Sequence, residues 1–139
     1  TPEQSWELQE ELLQNCLDLW DALDMHYEVV NICTGDMGTV AARKYDLEAW
    51  IPGANQYKEN VSCSNCTDYQ ANRLQIRYGQ PGHAGQPIAH TLNSTAVATS
   101  RALVAIMEQN QMEDGRVRIP EVLQPFMGGQ ETLEPCTWG

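Results

Sequence analysis

Apolar residues recur at helical spacing near the start of the chain. Leu8, Leu12, Cys16, Leu19, Trp20 and Leu23 alternate with Glu7, Gln9, Glu10, Glu11 and Asp18, which predicts an amphipathic helix over 4–23. Thr1, followed by Pro2, Glu3 and Gln4, supplies an N-cap and a capping box. Tyr27–Cys33 is a short apolar run of strand type, broken by Thr34-Gly35-Asp36-Met37-Gly38, with a helical turn expected at Thr39–Ala42. From Tyr45 to Ile51 the period is two: Tyr45, Leu47, Ala49 and Ile51 face one side, Asp46, Glu48 and Trp50 the other. Pro52-Gly53-Ala54-Asn55 is a turn, and Gln56–Ser64 resumes the strand pattern through Tyr57, Glu59, Val61 and Cys63. Together the two runs predict a long antiparallel hairpin.

Beyond the hairpin the signals shorten. A small helix is expected over 67–73, capped by Thr67 or Asp68, then a strand at Leu74–Tyr78. Gly79–Pro87 is a loop by composition and Ile88–Asn93 is strand-like. Ala96–Met107 is almost wholly apolar, which predicts a helix buried around its whole circumference, ending near Glu113-Asp114-Gly115. Arg116–Ile119 reads as a last short strand, Pro120–Met127 as a turn of helix, and Gly128 onward as tail. No internal repeat and no long linker divides the chain, so the pattern describes one α+β domain with an antiparallel sheet.

Composition narrows the function. The chain has 139 residues, 42% of them hydrophobic, enough for one core without disulfide or metal staples. Its formal net charge is −11, with 8 Lys plus Arg against 19 Asp plus Glu, which argues against a free-standing nucleic-acid binder. No apolar run is long enough for a membrane helix and no signal peptide is visible, so a cytoplasmic setting is expected. The absence of an initiator Met points to a missing or processed start. Five cysteines, at 16, 33, 63, 66 and 136, fit reduced thiols. Cys63-Ser64-Asn65-Cys66 is a lone CxxC with no further ligand set for zinc and reads as structural, and the three Asn-x-Ser/Thr sequons are taken as inert.

A few polar residues stand out for chemistry. Arg101 is the one charge in the apolar stretch Ala96–Met107. A guanidinium cannot shed its proton, so its burial would need an anion: a phosphate or carboxylate ligand, or an ion pair with Asp46 or Glu48. Asp46 and Glu48 share a strand face, most simply the solvent side of the hairpin. Glu59 and Ser62 could hold a hard cation such as magnesium, but an offset of three in a regular strand puts them on opposite faces. The pairing therefore requires a bulge or a strand end. His90, among apolar neighbours, reads as a hydrogen-bonded core residue.

Longer stretches carry a resemblance. Tyr27-Glu28-Val29-Val30-Asn31-Ile32-Cys33-Thr34-Gly35-Asp36-Met37-Gly38 resembles a segment of seryl-tRNA synthetases, and so does Ala42-Arg43-Lys44-Tyr45-Asp46-Leu47-Glu48-Ala49-Trp50-Ile51-Pro52-Gly53. The likeness is strongest over Glu59–Arg73, with Ser62-Cys63-Ser64-Asn65-Cys66-Thr67-Asp68-Tyr69-Gln70-Ala71. His90-Thr91-Leu92-Asn93-Ser94-Thr95-Ala96-Val97-Ala98-Thr99-Ser100-Arg101 is similar to the class II motif 3, and Ile119–Gly129 to the family's closing segment.

The resemblance implies part of a class II aminoacyl-tRNA synthetase catalytic core, an antiparallel sheet flanked by helices, over residues 1–139. It implies ATP-dependent activation of serine and transfer to tRNA(Ser), with ATP and Mg2+ as cofactors and a homodimer in the full enzyme. Arg101 matches the motif 3 arginine that holds the ATP phosphates, the catalytic assignment here. Glu59 and Ser62 match the pair that coordinates the divalent ion, and Glu59-Asn60-Val61-Ser62 the ATP-contacting segment. Thr95 matches the serine-contacting position, with Asn93 lining the same pocket. Motifs 1 and 2 and the tRNA-binding arm have no counterpart in this sequence. Asn72 stands where the family usually has arginine, and residues 130–139 match nothing in it. The expectation is a C-terminal catalytic fragment, inactive alone, with exposed apolar surface where missing strands belong. The alternatives are a stand-alone synthetase-like binding or regulatory protein and a ligase that charges a carrier protein.

Overall fold

The computed structural model describes residues 1–136. The elements run α1 (Ser5–Ala22), β1 (Tyr27–Asn31), β2 (Arg43–Ile51), β3 (Gln56–Asn65), α2 (Tyr69–Leu74), β4 (Leu92–Ser94), α3 (Thr99–Gln109), β5 (Val117–Arg118), a 3-10 segment (Glu121–Met127) and β6 (Thr132–Leu133). The main sheet has the order β1-β2-β3-β4, antiparallel throughout. β2 and β3 are the expected hairpin, closed by a 3-10 turn at Pro52–Ala54 and by Asn55 in the left-handed region at φ 51°.

One sheet face makes the core. Leu47, Ala49, Ile51 and Val61 pack with Cys16, Trp20 and Leu23 of the α1 segment, with Met25, and with Ala102 and Ala105 of α3. Trp20 is fully buried, and its indole Nε1 donates to the Ala96 carbonyl at 3.1 Å, tying α1 to the approach to α3. The opposite face carries Lys44, Asp46, Glu48, Ser62 and Ser64 and belongs to neither helix.

The buried stripe of α1 is rotated from the expected one. It runs Ser5, Gln9, Leu13, Cys16, Trp20, while Leu8 and Leu19 are exposed. Two polar residues lie inside because the sheet end offers them partners. Gln9 Nε2 donates to the carbonyls of Arg43 and Cys63, and its Oε1 accepts from Arg43 Nε at 2.8 Å. Ser5 Oγ lies 2.8 Å from His90 Nδ1, so His90 is the hydrogen-bonded residue expected. The helix begins at Ser5 rather than at a Thr1 cap, although Thr1 and Gln4 make reciprocal bonds of capping-box type just before it.

Four other expectations fail. α3 is not buried around its circumference: Ala102 and Ala105 are buried, Ile106 is partly buried against the core, and Leu103 is 57% exposed. Small residues allow the close approach to the sheet, and Leu103, Val104 and Met107 point away. The 3-10 segment likewise presents Phe126, 86% exposed. Leu74–Tyr78 is not a strand. α2 runs through Leu74 into Gln75 at φ 55°, and only a single bridge, Arg77 to Ile88, spans the exposed 79–87 loop. Thr39–Ala42 is turn and coil rather than helix. The expected tail contains β6, paired with β5 from Val117–Leu133 to Arg118–Thr132, while residues 137–139 lie outside the described residues. No helix among the described residues is long and apolar enough to cross a membrane.

Candidate functional site

A β-bulge builds the site. Leu47 pairs with Val61, but the next residue, Glu48, pairs with Glu59, so Asn60 is the extra residue in β3. An extra residue shifts the alternation by one. Asp46 and Glu48 lie two apart on β2 and share a face, and their partners are Ser62 and Glu59. Glu59 and Ser62 therefore share that face too, as the cation pairing requires.

The face is acidic and only partly neutralised. Asp46 lies on the face away from the core, as expected, but it is not solvent-exposed. It is 3% exposed, and its Oδ2 pairs with Lys44 Nζ at 3.1 Å. Its Oδ1 is buried without a hydrogen-bond partner. Glu28 pairs with Glu48 from the other side. Burial first, and then the Glu28, Asp46 and Glu59 carboxylates, push the Glu48 carboxyl above the ordinary glutamate range.

Such a set suits a hard divalent cation. Glu59 offers a carboxylate and Ser62 a hydroxyl oxygen, and Asp46, with one unpaired oxygen, is the cross-strand partner of Ser62. Among the described residues no three His, Cys, Asp or Glu side chains converge as a complete metal shell. A cation there would complete its shell with water or phosphate oxygen, as magnesium commonly does.

Arg101 is neither buried nor paired with Asp46 or Glu48. Its side chain is 56% exposed, and Nη1 lies 3.4 Å from Glu59 Oε1 and donates to the Glu59 carbonyl at 3.0 Å. It reaches this position from the first turn of α3, where Ala102 anchors the helix on the sheet. Arg101, Glu59, Lys58, Ser100, Ile51 and Val104 line a cleft of about 530 Å³.

The remaining candidates sit elsewhere on the same ridge. Asn93 pairs with Ser64 across β3 and β4, and both line a separate polar cavity of about 310 Å³ with Lys44, Gln70, Cys66 and the 37–41 loop. Thr95 is exposed, and its backbone N–H donates to the Ser62 carbonyl at 3.2 Å, beside the cation candidates. Asn60 is buried, with Nδ2 donating to the Lys58 carbonyl and Oδ1 unpaired. Val61 is a core residue. The structure thus joins Arg101 with Glu59 and sets Glu59 and Ser62 on one face, while Asn93 lines a neighbouring opening.

Sequence reasoning passed over Lys44, Ser64 and Arg43. Lys44 and Ser64 lie on the Asp46 face by simple alternation. Arg43 bonds Gln9, pairs with Glu10 at 2.7 Å and lies over the Trp6 and Tyr45 rings, so it orients α1 against the sheet end. Cys63 and Cys66 are buried, and burial raises both thiols, in keeping with a structural CxxC.

Comparison with known proteins places this geometry. Residues 1–110 match the family described as the tRNA synthetase class II core domain (G, H, P, S and T). The chain belongs to that family. A serine–tRNA ligase of Methanoculleus marisnigri is 57% identical over 134 residues, which is 96% of this chain and 32% of that protein. The crystal structure of seryl-tRNA synthetase from Pyrococcus horikoshii complexed with ATP superposes with a TM-score of 0.94 at 52% identity, covering 99% of this chain and 30% of that one. The cytoplasmic serine–tRNA ligase of Naegleria fowleri in complex with AMP gives 0.88 at 47% identity, covering 95% and 32%. The fold is that of a class II synthetase core in part, and the chain spans about a third of the length of these relatives.

Proposed function

We propose that these residues form the motif 3 part of a serine–tRNA ligase catalytic domain, which activates serine with ATP and transfers it to tRNA(Ser). The observation that carries this reading is the bulge at Asn60, which sets Glu59 beside Ser62 while Arg101 reaches Glu59 from α3. The similarity to serine–tRNA ligases over nearly the whole chain supports it. So does the free outer edge of β3 before Ser62, and the exposed apolar side of α3, which the rest of such a domain would cover. The whole enzyme is read as a cytoplasmic homodimer, and the 139 residues alone as inactive.

In this reading Arg101 holds the phosphates of ATP. Its planar guanidinium can grip two oxygens and stabilise charge developing on the displaced pyrophosphate. The ion pair to Glu59 is solvent-exposed, and pairs of that kind are worth about 0–1 kcal/mol, so phosphate can displace it at little cost. Glu59 and Ser62 hold the divalent ion, and Asn60 and Val61 supply backbone along the ATP segment. Bound there, magnesium would offset phosphate charge. Thr95 is assigned to the serine side chain, and Asn93, at the adjoining opening, extends the polar lining toward it. A site built to bond a hydroxyl rejects an analogue that lacks it, because its own polar groups are then stranded.

The test is serine-dependent ATP–pyrophosphate exchange by the whole native polypeptide that contains this sequence, followed by charging of tRNA(Ser). The reading expects exchange with serine, little with alanine, and transfer to tRNA rather than to a carrier protein. Absence of serine-dependent exchange, or transfer only to a carrier protein, would overturn it.

A further inference from the structure

We propose that Asp46 positions Ser62 for cation binding by accepting the hydrogen of its hydroxyl. This inference rests on the proposed cation role of Glu59 and Ser62. A hydroxyl has one hydrogen and two lone pairs. When the oxygen gives a lone pair to a cation, the hydrogen points away from it and needs an acceptor. In a partly buried site an unmet hydrogen bond weakens the whole arrangement.

Asp46 has the right place and the right free atom. It is the direct cross-strand partner of Ser62 on the shared face. Side chains so paired have Cβ atoms about 4.5–5.5 Å apart, a span that one hydroxyl–carboxylate bond closes. Asp46 Oδ2 is held by Lys44 Nζ at 3.1 Å, and Oδ1 is buried without any partner. Buried carboxylate oxygens normally have donors, so an orphan in this position calls for one.

The neighbours leave Ser62 as the donor. Glu48 and Glu59 beside it accept only, and Val30, its partner on β1, is apolar. Ser64 stands opposite Lys44, one pair further along. With one oxygen anchored to Lys44, Asp46 acts through Ser62 and not as a ligand itself. Partners of this indirect kind set the orientation of the liganding atom, and their loss commonly costs 10–100-fold in metal affinity.

A double-mutant cycle on the whole native polypeptide tests this, with manganese(II) and ATP as the probe and electron paramagnetic resonance reading the bound metal. Asp46→Asn keeps the volume, but its amide carbonyl faces Lys44 and turns the NH2 group toward Ser62, so the Ser62 hydroxyl hydrogen loses its acceptor. The expected result is manganese affinity weakened roughly 10–100-fold in Asp46→Asn. Ser62→Ala should also weaken it, and Asp46→Asn should add nothing further in the Ser62→Ala background. If Asp46→Asn costs the same in both backgrounds, or leaves the affinity unchanged, the proposal is overturned. If Ser62→Ala leaves the affinity unchanged, Ser62 is not a ligand, and the cation reading falls with the proposal. Should Asp46→Asn fail to fold, the Lys44→Gln/Asp46→Asn pair removes both charges together and completes the same cycle.

Discussion

Glu59 and Ser62 are three residues apart on one strand, yet they face the same side of the sheet. The extra residue, Asn60, makes this possible. Asn60 acts through its place in the chain, as the residue of β3 without a cross-strand partner, and not through its side chain. Asn60→Val keeps the residue count and also removes an unpaired buried oxygen. Asn60→Val is expected to hold manganese affinity within about twofold of wild type, where loss of an orienting side chain would cost roughly 10–100-fold. A loss of roughly tenfold or more in Asn60→Val, with its fold intact by circular dichroism, would contradict the role of Asn60 as a spacer.

Much of this architecture was legible in the sequence, and the failures have physical causes. Period-two alternation over Tyr45–Ile51 marked both the core face and the acidic face. The requirement for a bulge or a strand end followed from the spacing of Glu59 and Ser62. What alternation could not locate was the inserted residue, because a bulge is defined by its partner strand. The α1 stripe was misplaced because Ser5 and Gln9 are polar but find partners in His90, Arg43 and Cys63, none of them near in sequence. Arg101 was expected inside an apolar helix, but composition does not say which side of a helix is covered. Here alanines take the covered side and leave Leu103 and Arg101 outside.

Trp20 joins α1 to the segment before α3 by packing and by its bond to the Ala96 carbonyl. Trp20→Ala is expected to cost about 3–5 kcal/mol of stability. Trp20→Phe removes the donor and should cost about 1–3 kcal/mol for the stranded carbonyl. Urea denaturation measures both. A loss under about 1 kcal/mol for Trp20→Ala would contradict the central placement of this residue.

The thiols divide by burial. Cys33 and Cys136 are exposed, whereas Cys16, Cys63 and Cys66 are buried, and burial raises the last two above the ordinary cysteine range. Under native conditions at mildly alkaline pH a thiol reagent should modify Cys33 and Cys136 quickly and the other three only as fast as the protein opens. Peptide mapping of early labelling checks this, and rapid modification of Cys63 or Cys66 would contradict it.

Tyr27 donates to Asp21 Oδ1 at 2.6 Å. Burial, then that bond and the Asp21 charge, push its phenol up to about 12 from 10.0. The raised value means the native state holds this proton more tightly than the unfolded chain. Its contribution is complete below pH 10 and is lost as the pH rises toward 12. An ultraviolet titration should show a late phenol phase that is absent in Tyr27→Phe and shifted down in Asp21→Ala. A titration in which Tyr27→Phe removes no late phase would contradict this.

The central claim is that the Glu59, Ser62 and Arg101 constellation serves serine activation. The most direct measurement is serine-dependent ATP–pyrophosphate exchange by the whole native polypeptide, wild type against Arg101→Ala. Arg101 is exposed, and its ion pair adds little to stability, so the variant should fold as the wild type does. Loss of one such charge-stabilising donor is expected to lower the exchange rate about 10²–10³-fold. Exchange at an undiminished rate in Arg101→Ala would contradict the claim.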